Sequence, residues 1–226
     1  FMYDKFIIHK RTKFIDKVYY LPQTWINLLK DFKLSTKKNN IYYFNPMKLQ
    51  ENIKNRILEK LSIKNYIIFH FDHKWEDVSG IENDLFDKLV FFQKKIKKTI
   101  LITSFHNNSH YFKNFLKKIN IFDVNKFKLI KKNTLPIYLI KDPEIFLQER
   151  LVSTSLLCIS CHSGILVHSA AANKRKLVDI LNHNEILIQK CWAPLKNYYV
   201  VKKSDQLRRY NLQVIFDNIR NYSIKT

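Results

Sequence analysis

Three polar clusters, each directly behind an apolar run, hold the residues that could do chemistry. His70, Asp72, His73, Lys74 and Trp75 follow YIIF, Thr103 and Ser104 end TILITS, and CHSG (161–164) stands between LLCIS and ILVHSAAA. A lysine at the end of a strand meets a diphosphate as a point charge, and a tryptophan beside it walls a pocket or stacks on a ring. Ser163 and Gly164 at a strand-to-helix turn would offer an anion unpaired N–H groups and the positive end of a helix. Gly164 is one of only two glycines in the chain, which suits a tight turn or a close approach of ligand to backbone. His168 lies on the first turns of the same helix. The bland alternative is a tight crossover with Ser163 as its cap.

The segment Cys158-Ile159-Ser160-Cys161-His162 also matches C-x-x-C-H, the pattern of c-type haem attachment. A strand through Leu156–Ser160 places residues three apart on opposite faces, so the two thiols would not meet one haem edge. Cys158 is read instead as a small apolar core residue. Zinc would need Cys191 as third thiolate and has no second paired motif, so no metal site is expected. Three cysteines cannot all pair, and a reducing compartment is the simpler setting. Trp192, in KCWAP behind the strand KLVDI, could stack on a base or pack in a core. Asp179 is expected to accept hydrogen bonds near its strand end in a structural role.

The elements that position these residues follow from periodicity. Leu49, Ile53, Ile57 and Leu61 repeat every four residues behind Asn45-Pro46 and predict a helix. Tyr66–Phe71 is a short apolar strand, Ile81 to Ile96 an amphipathic helix, and Thr99–Ser104 the next strand. A short helix through Phe112, Phe115, Leu116 and Ile119 precedes weaker strands at Phe127–Ile130 and Pro136–Ile140. Pro143–Leu151 reads as a helix with Asp142 as its cap, followed by strand Leu156–Ser160, a small-residue helix through Ala170–Ala172 and strand Lys176–Ile180. Short, continuously apolar strands alternating with helices predict an α/β fold, a doubly wound and mostly parallel sheet covered on both faces. In such a sheet ligands bind beyond the carboxyl ends of the strands, where all three polar clusters fall. The expected organisation is 1–45 as the remnant or end of a preceding domain, 46–202 as the α/β domain and 203–226 as a helix packing back.

The chain has 226 residues, with 40 Lys+Arg against 19 Asp+Glu for a formal charge of +21. Hydrophobic residues at 46% supply a core and exclude a disordered basic tail. Two glycines leave no material for a dinucleotide fingerprint. The positive balance favours an anionic partner, although an AT-rich genome would enrich lysine equally well. Basic residues are dispersed along the sequence with no concentrated arm. The longest stretch free of Asp, Glu, Lys and Arg, Leu151–Asn173, holds five serines, two histidines and an asparagine, and is rejected as a membrane span. No secretory signal is read, and a chain beginning at Phe1 is expected to be a fragment.

The order strand, His70 with Lys74 and Trp75, helix, and much later CHSG-ILV-His168-SAAA resembles the second domain of heptosyltransferase-like glycosyltransferases, which have the GT-B fold. The resemblance covers residues 60–195. It implies a Rossmann-like, donor-binding C-terminal domain, with Lys74 and Trp75 near the donor phosphates and Ser163, Gly164 and His168 lining the donor site. Thr103, Ser104 and Trp192 would complete that lining. His162 stands where the family usually has Asp, so the identity of the sugar does not carry over.

By this resemblance the chain would move a sugar from a nucleotide-diphosphate-sugar, as donor substrate and without a cofactor or metal, to a glycan or lipid-linked acceptor. Candidates for the general base are His70, Asp72 and His162. A cytoplasmic location follows, with room for peripheral contact with an anionic membrane. The rival reading is a basic nucleic-acid-binding α/β protein, disfavoured by the dispersed lysines; a third is a GT-B-like module without activity.

Overall fold

The computed structural model describes residues 48–71, 81–104, 115–161, 163, 166–167, 169–170, 173, 175–181, 198–202 and 217. Its centre is β1 (Tyr66–Phe71), buried at every position. Strand side chains alternate between faces, and here both faces are apolar. Ile67, Phe69 and Phe71 enter one core cluster, while Tyr66 and Ile68 enter the other.

Eight strands form one sheet in the order β4-β3-β5-β2-β1-β6-β7-β8. The others are β2 (Thr99–Ser104), β3 (Asn120–Asp123), β4 (Lys128–Ile130), β5 (Ile137–Lys141), β6 (Leu157–Ser160), β7 (Lys176–Leu181) and β8 (Tyr198–Lys202). All pairings are parallel except β3 with β4 at the edge. The helices are α1 (Lys48–Lys60), α2 (Ile81–Ile96) and α3 (Ile145–Ser153). Leu89 and Phe92 of α2 pack on one face, and Ile57 of α1 with Leu147, Leu151 and Val152 of α3 pack on the other. The expected doubly wound α/β class is therefore the observed one.

The direction of winding changes at the middle of the sheet. From β1 the chain moves through α2 to β2, and from β6 it moves through the helix containing residues 166–170 to β7, in the opposite direction. Right-handed crossovers running in opposite directions must lie on opposite faces. Leu166, Val167 and Ala170 accordingly pack with α1 and α3, across the sheet from α2. Such a reversal is a topological switch point, and in open α/β sheets the ligand crevice lies there, here outside the carboxyl ends of β1 and β6.

With so few glycines, other residues take the left-handed positions that end helices. Behind α1, Ser62 has φ 54°. The Ser62 N–H donates to the Glu59 carbonyl at 2.9 Å and that of Ile63 to the Leu58 carbonyl at 2.8 Å, a Schellman closure that satisfies the last turn. Lys97 does the same duty behind α2 with φ 52°.

Several boundaries differ from expectation. Asp142 is not the cap of α3: it sits at φ 51°, and Glu144 holds the cap position, its carbonyl accepting the Gln148 N–H at 2.9 Å. The strand expected from Phe127 begins one residue later, because Phe127 has φ 47° and its ring packs edge-on against Phe122 at 5.2 Å. β3 and β8 were not expected at all. Residues 1–45 lie outside the described residues. Within 203–226 the described residue is Asp217, which is helical and 3.9 Å from Lys95 of α2.

Candidate functional site

The face of the sheet that packs on α1 and α3 changes character toward the carboxyl edge. One rung across the central strands is apolar, with Ile68 of β1 between Leu101 and Cys158, and Cys158 beside Leu177. Two residues further along each strand the rung is polar. His70 pairs with Thr103, Ser160 pairs with Asp179, and one more step of the β1–β6 register sets His70 beside Ser160. All four are buried, none more than 1% exposed. Further out, on β5 and β3, Ile140 and Phe122 restore an apolar surface to the same face. The polar rung is thus confined to the strands that flank the switch point.

A buried polar group requires partners, and here the neighbours across strands supply them. His70 Nδ1 is 2.9 Å from Thr103 Oγ1, and Ser160 Oγ donates to Asp179 Oδ1 at 3.1 Å. A third residue descends from α3: Gln148 Nε2 is 3.2 Å from His70 Nδ1 and 3.4 Å from Thr103 Oγ1. Nδ1 is thus held between the Thr103 hydroxyl and the Gln148 amide. Gln148 Oε1 and Ser104 Oγ are buried without a hydrogen-bond partner among the described residues. Ser104 points to the opposite face of β2 from Thr103.

Ser163 opens the helix behind β6. Its carbonyl accepts the Val167 N–H at 3.0 Å, the first closure of the helix, and its side chain is buried. Ser163 thus stands at a helix start beside the switch point, the kind of place where first-turn N–H groups are left for an anion. Between strand and helix the two cysteines separate as expected, Cys158 into one core cluster and Cys161 into the other. The C-x-x-C-H pattern therefore does not bring its thiols together. Desolvation in the core raises the Cys158 thiol pKa to about 12, against a smaller lowering by Ser155.

Of the residues expected to form the site, His70, Thr103, Ser104 and Ser163 are described, and all four stand at the carboxyl edge of β2, β1 and β6. Asp72, Lys74, Trp75, His162, Gly164, His168 and Trp192 lie outside the described residues. Gln148 was missed, although its sequence position carried a signal: it precedes Val152 by four residues and so shares the buried stripe of α3. Asp179 does accept a hydrogen bond near its strand end, as expected, but as one member of a row that periodicity alone does not reveal.

No protein-family model matches the chain, and no curated protein matches its sequence. Among solved structures, E. coli ADP-heptose lps heptosyltransferase II superposes with a TM-score of 0.50 at 11% identity, over 81% of this chain and 54% of that one. The likeness is one of fold, a Rossmann-like α/β sheet of the GT-B type. A UDP-GlcNAc 2-epimerase of Methanocaldococcus jannaschii, solved with UDP-GlcNAc and UDP, superposes with a TM-score of 0.46 at 13% identity, over 86% of this chain and 51% of that one. The chain spans about half the length of each of these proteins. The likeness concerns the α/β architecture, and in this chain the buried polar rung stands on the strands around its switch point.

Proposed function

We propose that this chain is the donor-binding part of a glycosyltransferase that moves a sugar from a nucleotide-diphosphate-sugar to a glycan or lipid-linked acceptor in the cytoplasm. The supporting observation is the convergence of a helix N-terminus behind Ser163 with the carboxyl ends of β1 and β6. A diphosphate there faces backbone N–H groups and the positive helix end, and Lys74, behind β1, adds a point charge. Trp75, Gly164 and His168 line the donor, Trp192 stacks on the base, and Thr103 and Ser104 support the floor.

Transfer then needs stabilisation of the departing diphosphate, which the helix end and Lys74 supply without a metal. It also needs a base within hydrogen-bond reach of the acceptor hydroxyl. His70 Nδ1 is engaged below the edge by Thr103 and Gln148, so His70 is assigned to positioning. Asp72 and His162 remain as bases.

Calorimetric titration with ADP, UDP, GDP and CMP tests this reading. One nucleotide is expected to bind with a Kd in the micromolar range, unchanged by a chelator; heat from none of them, or binding only with added divalent cation, sinks it.

A further inference from the structure

Along the chain the lysines look dispersed, and the fold gathers them. The amino ends of the parallel strands share one edge of the sheet, opposite the crevice. Lys64 stands just before β1, Lys97 and Lys98 before β2, and Lys117 and Lys118 before β3. Lys131 and Lys132 follow β4, whose last residue Ile130 pairs with Ile121 near the start of β3, which puts them on the same edge. All of these lysines are exposed, and half-buried Lys176 continues the row at β7. Among the described residues the acids near this edge are Glu59 and Asp217. Among the described residues the opposite edge is mixed, with Asp123, Asp142 and Glu144 beside Lys126, Lys128, Lys141 and Lys202.

Helix C-termini favour cations, which accounts for lysines in the last turns of α1 and α2. It does not account for Lys131 and Lys132, which follow a strand. Composition sets how many lysines the chain has, not the edge on which they stand. From β4 to β7 the row crosses six strand spacings, about 29 Å, or between about three and four Debye lengths at physiological salt. The charge therefore acts over an area rather than on one bound ion. Two exposed aliphatic side chains share the edge, Ile130 at 41% and Leu156, just before β6, at 43%.

We propose that this amino edge docks on an anionic phospholipid bilayer, the lysines meeting the headgroups and Ile130 and Leu156 entering the interface. Nucleic acid fits the edge less well. The exposed cations of the edge are lysines, which lack the guanidinium fork that grips phosphate in two places, and Arg175, just before β7, is half-buried. Of the exposed phenylalanines among the described residues, Phe146 stands by the other edge and Phe91 lies under the Lys95 ammonium at 4.0 Å, so neither offers a free face to a base. The surface is separate from the crevice and does not depend on the donor reading.

Flotation of the full chain with phosphatidylcholine vesicles, with and without about one-third phosphatidylserine, tests the proposal. Binding is expected only to the anionic vesicles, weakening as salt rises. Since each lysine near a charged surface is worth about a factor of five, K97Q/K98Q and K131Q/K132Q should each lower partitioning about 25-fold. The carboxyl-edge pair K126Q/K128Q, equal in charge removed, should lower it less than about three-fold. Leu156→Ser should reduce the binding that survives high salt. The proposal is overturned by failure to bind anionic vesicles, by equal binding to neutral ones, or by equal losses in all three pairs. It is likewise overturned if K97Q/K98Q abolishes binding of single-stranded RNA while vesicles are ignored.

Discussion

His70 and Thr103 face each other in register on neighbouring parallel strands, with Nδ1 and Oγ1 2.9 Å apart and both side chains buried. This pair forms one end of a polar rung that runs through Ser160 to Asp179, and Gln148 overlies it. His70, Thr103 and Gln148 form one hydrogen-bonded set and Ser160 with Asp179 a second, side by side on the same rung.

Thr103→Val keeps the shape and removes the hydroxyl. It is expected to cost about 1–3 kcal/mol in urea unfolding, because a buried imidazole loses a partner. Gln148→Leu should cost a similar amount, and the two changes should couple by about 0.5 kcal/mol or more in a double-mutant cycle. Strict additivity would show that Gln148 and Thr103 do not share His70.

Cys158 should resist alkylation in the native protein. Burial raises its thiol to about 12, whereas an unfolded cysteine ionises near 8.5, and the thiolate is the reactive form. Iodoacetamide at about pH 8 should leave Cys158 unlabelled by mass spectrometry until denaturant is added. The unfolded thiol gives up its proton first, so this group favours the fold below about pH 8.5 and progressively favours unfolding as pH rises toward 12. Rapid native labelling of Cys158 would contradict its burial.

Asp123 makes the opposite kind of contribution. The Lys126 backbone N–H donates to Oδ1 at 3.0 Å and the Lys141 ammonium lies 3.6 Å from Oδ2, and together they hold the carboxyl below its usual range. A depressed pKa stabilises the fold above the unfolded value near 3.9 and loses that effect as pH falls through the folded value. Asp123→Asn should therefore be less stable than the parent at pH 7 and should converge on it in acid, as the folded carboxylate takes up its proton. A gap that stays constant with pH would assign the effect to packing.

Much of the fold was legible because the central strands are local signals. Tyr66–Phe71 and Thr99–Ser104 are apolar on both faces, and α2 shows its stripe without help from tertiary structure. β3 escaped because Ile119 completes a helical spacing and only Asn-Ile-Phe-Asp remains, a strand defined by its pairing with β5. Asp142 was misread because Asp-Pro is a common start signal, whereas here the aspartate takes the left-handed turn that leaves β5.

The site was legible in part for the same reason. Polar residues at the ends of apolar runs can be placed on one edge from sequence, as His70, Thr103 and Ser163 were. Register cannot be read that way, so the alignment of His70 with Thr103, and of Ser160 with Asp179, appeared only with the sheet. The lysine row has the same origin: residues far apart in sequence become neighbours only when the strand order is known.

Hydrogen–deuterium exchange with and without the nucleoside diphosphate that binds tests most directly whether the ligand sits at the switch point. The account predicts slower exchange in segments 72–80 and 161–167, behind β1 and β6, with the turns at 61–65 and 95–98 on the amino edge unchanged. Protection confined to those amino-edge turns, with none behind β1 and β6, would contradict it.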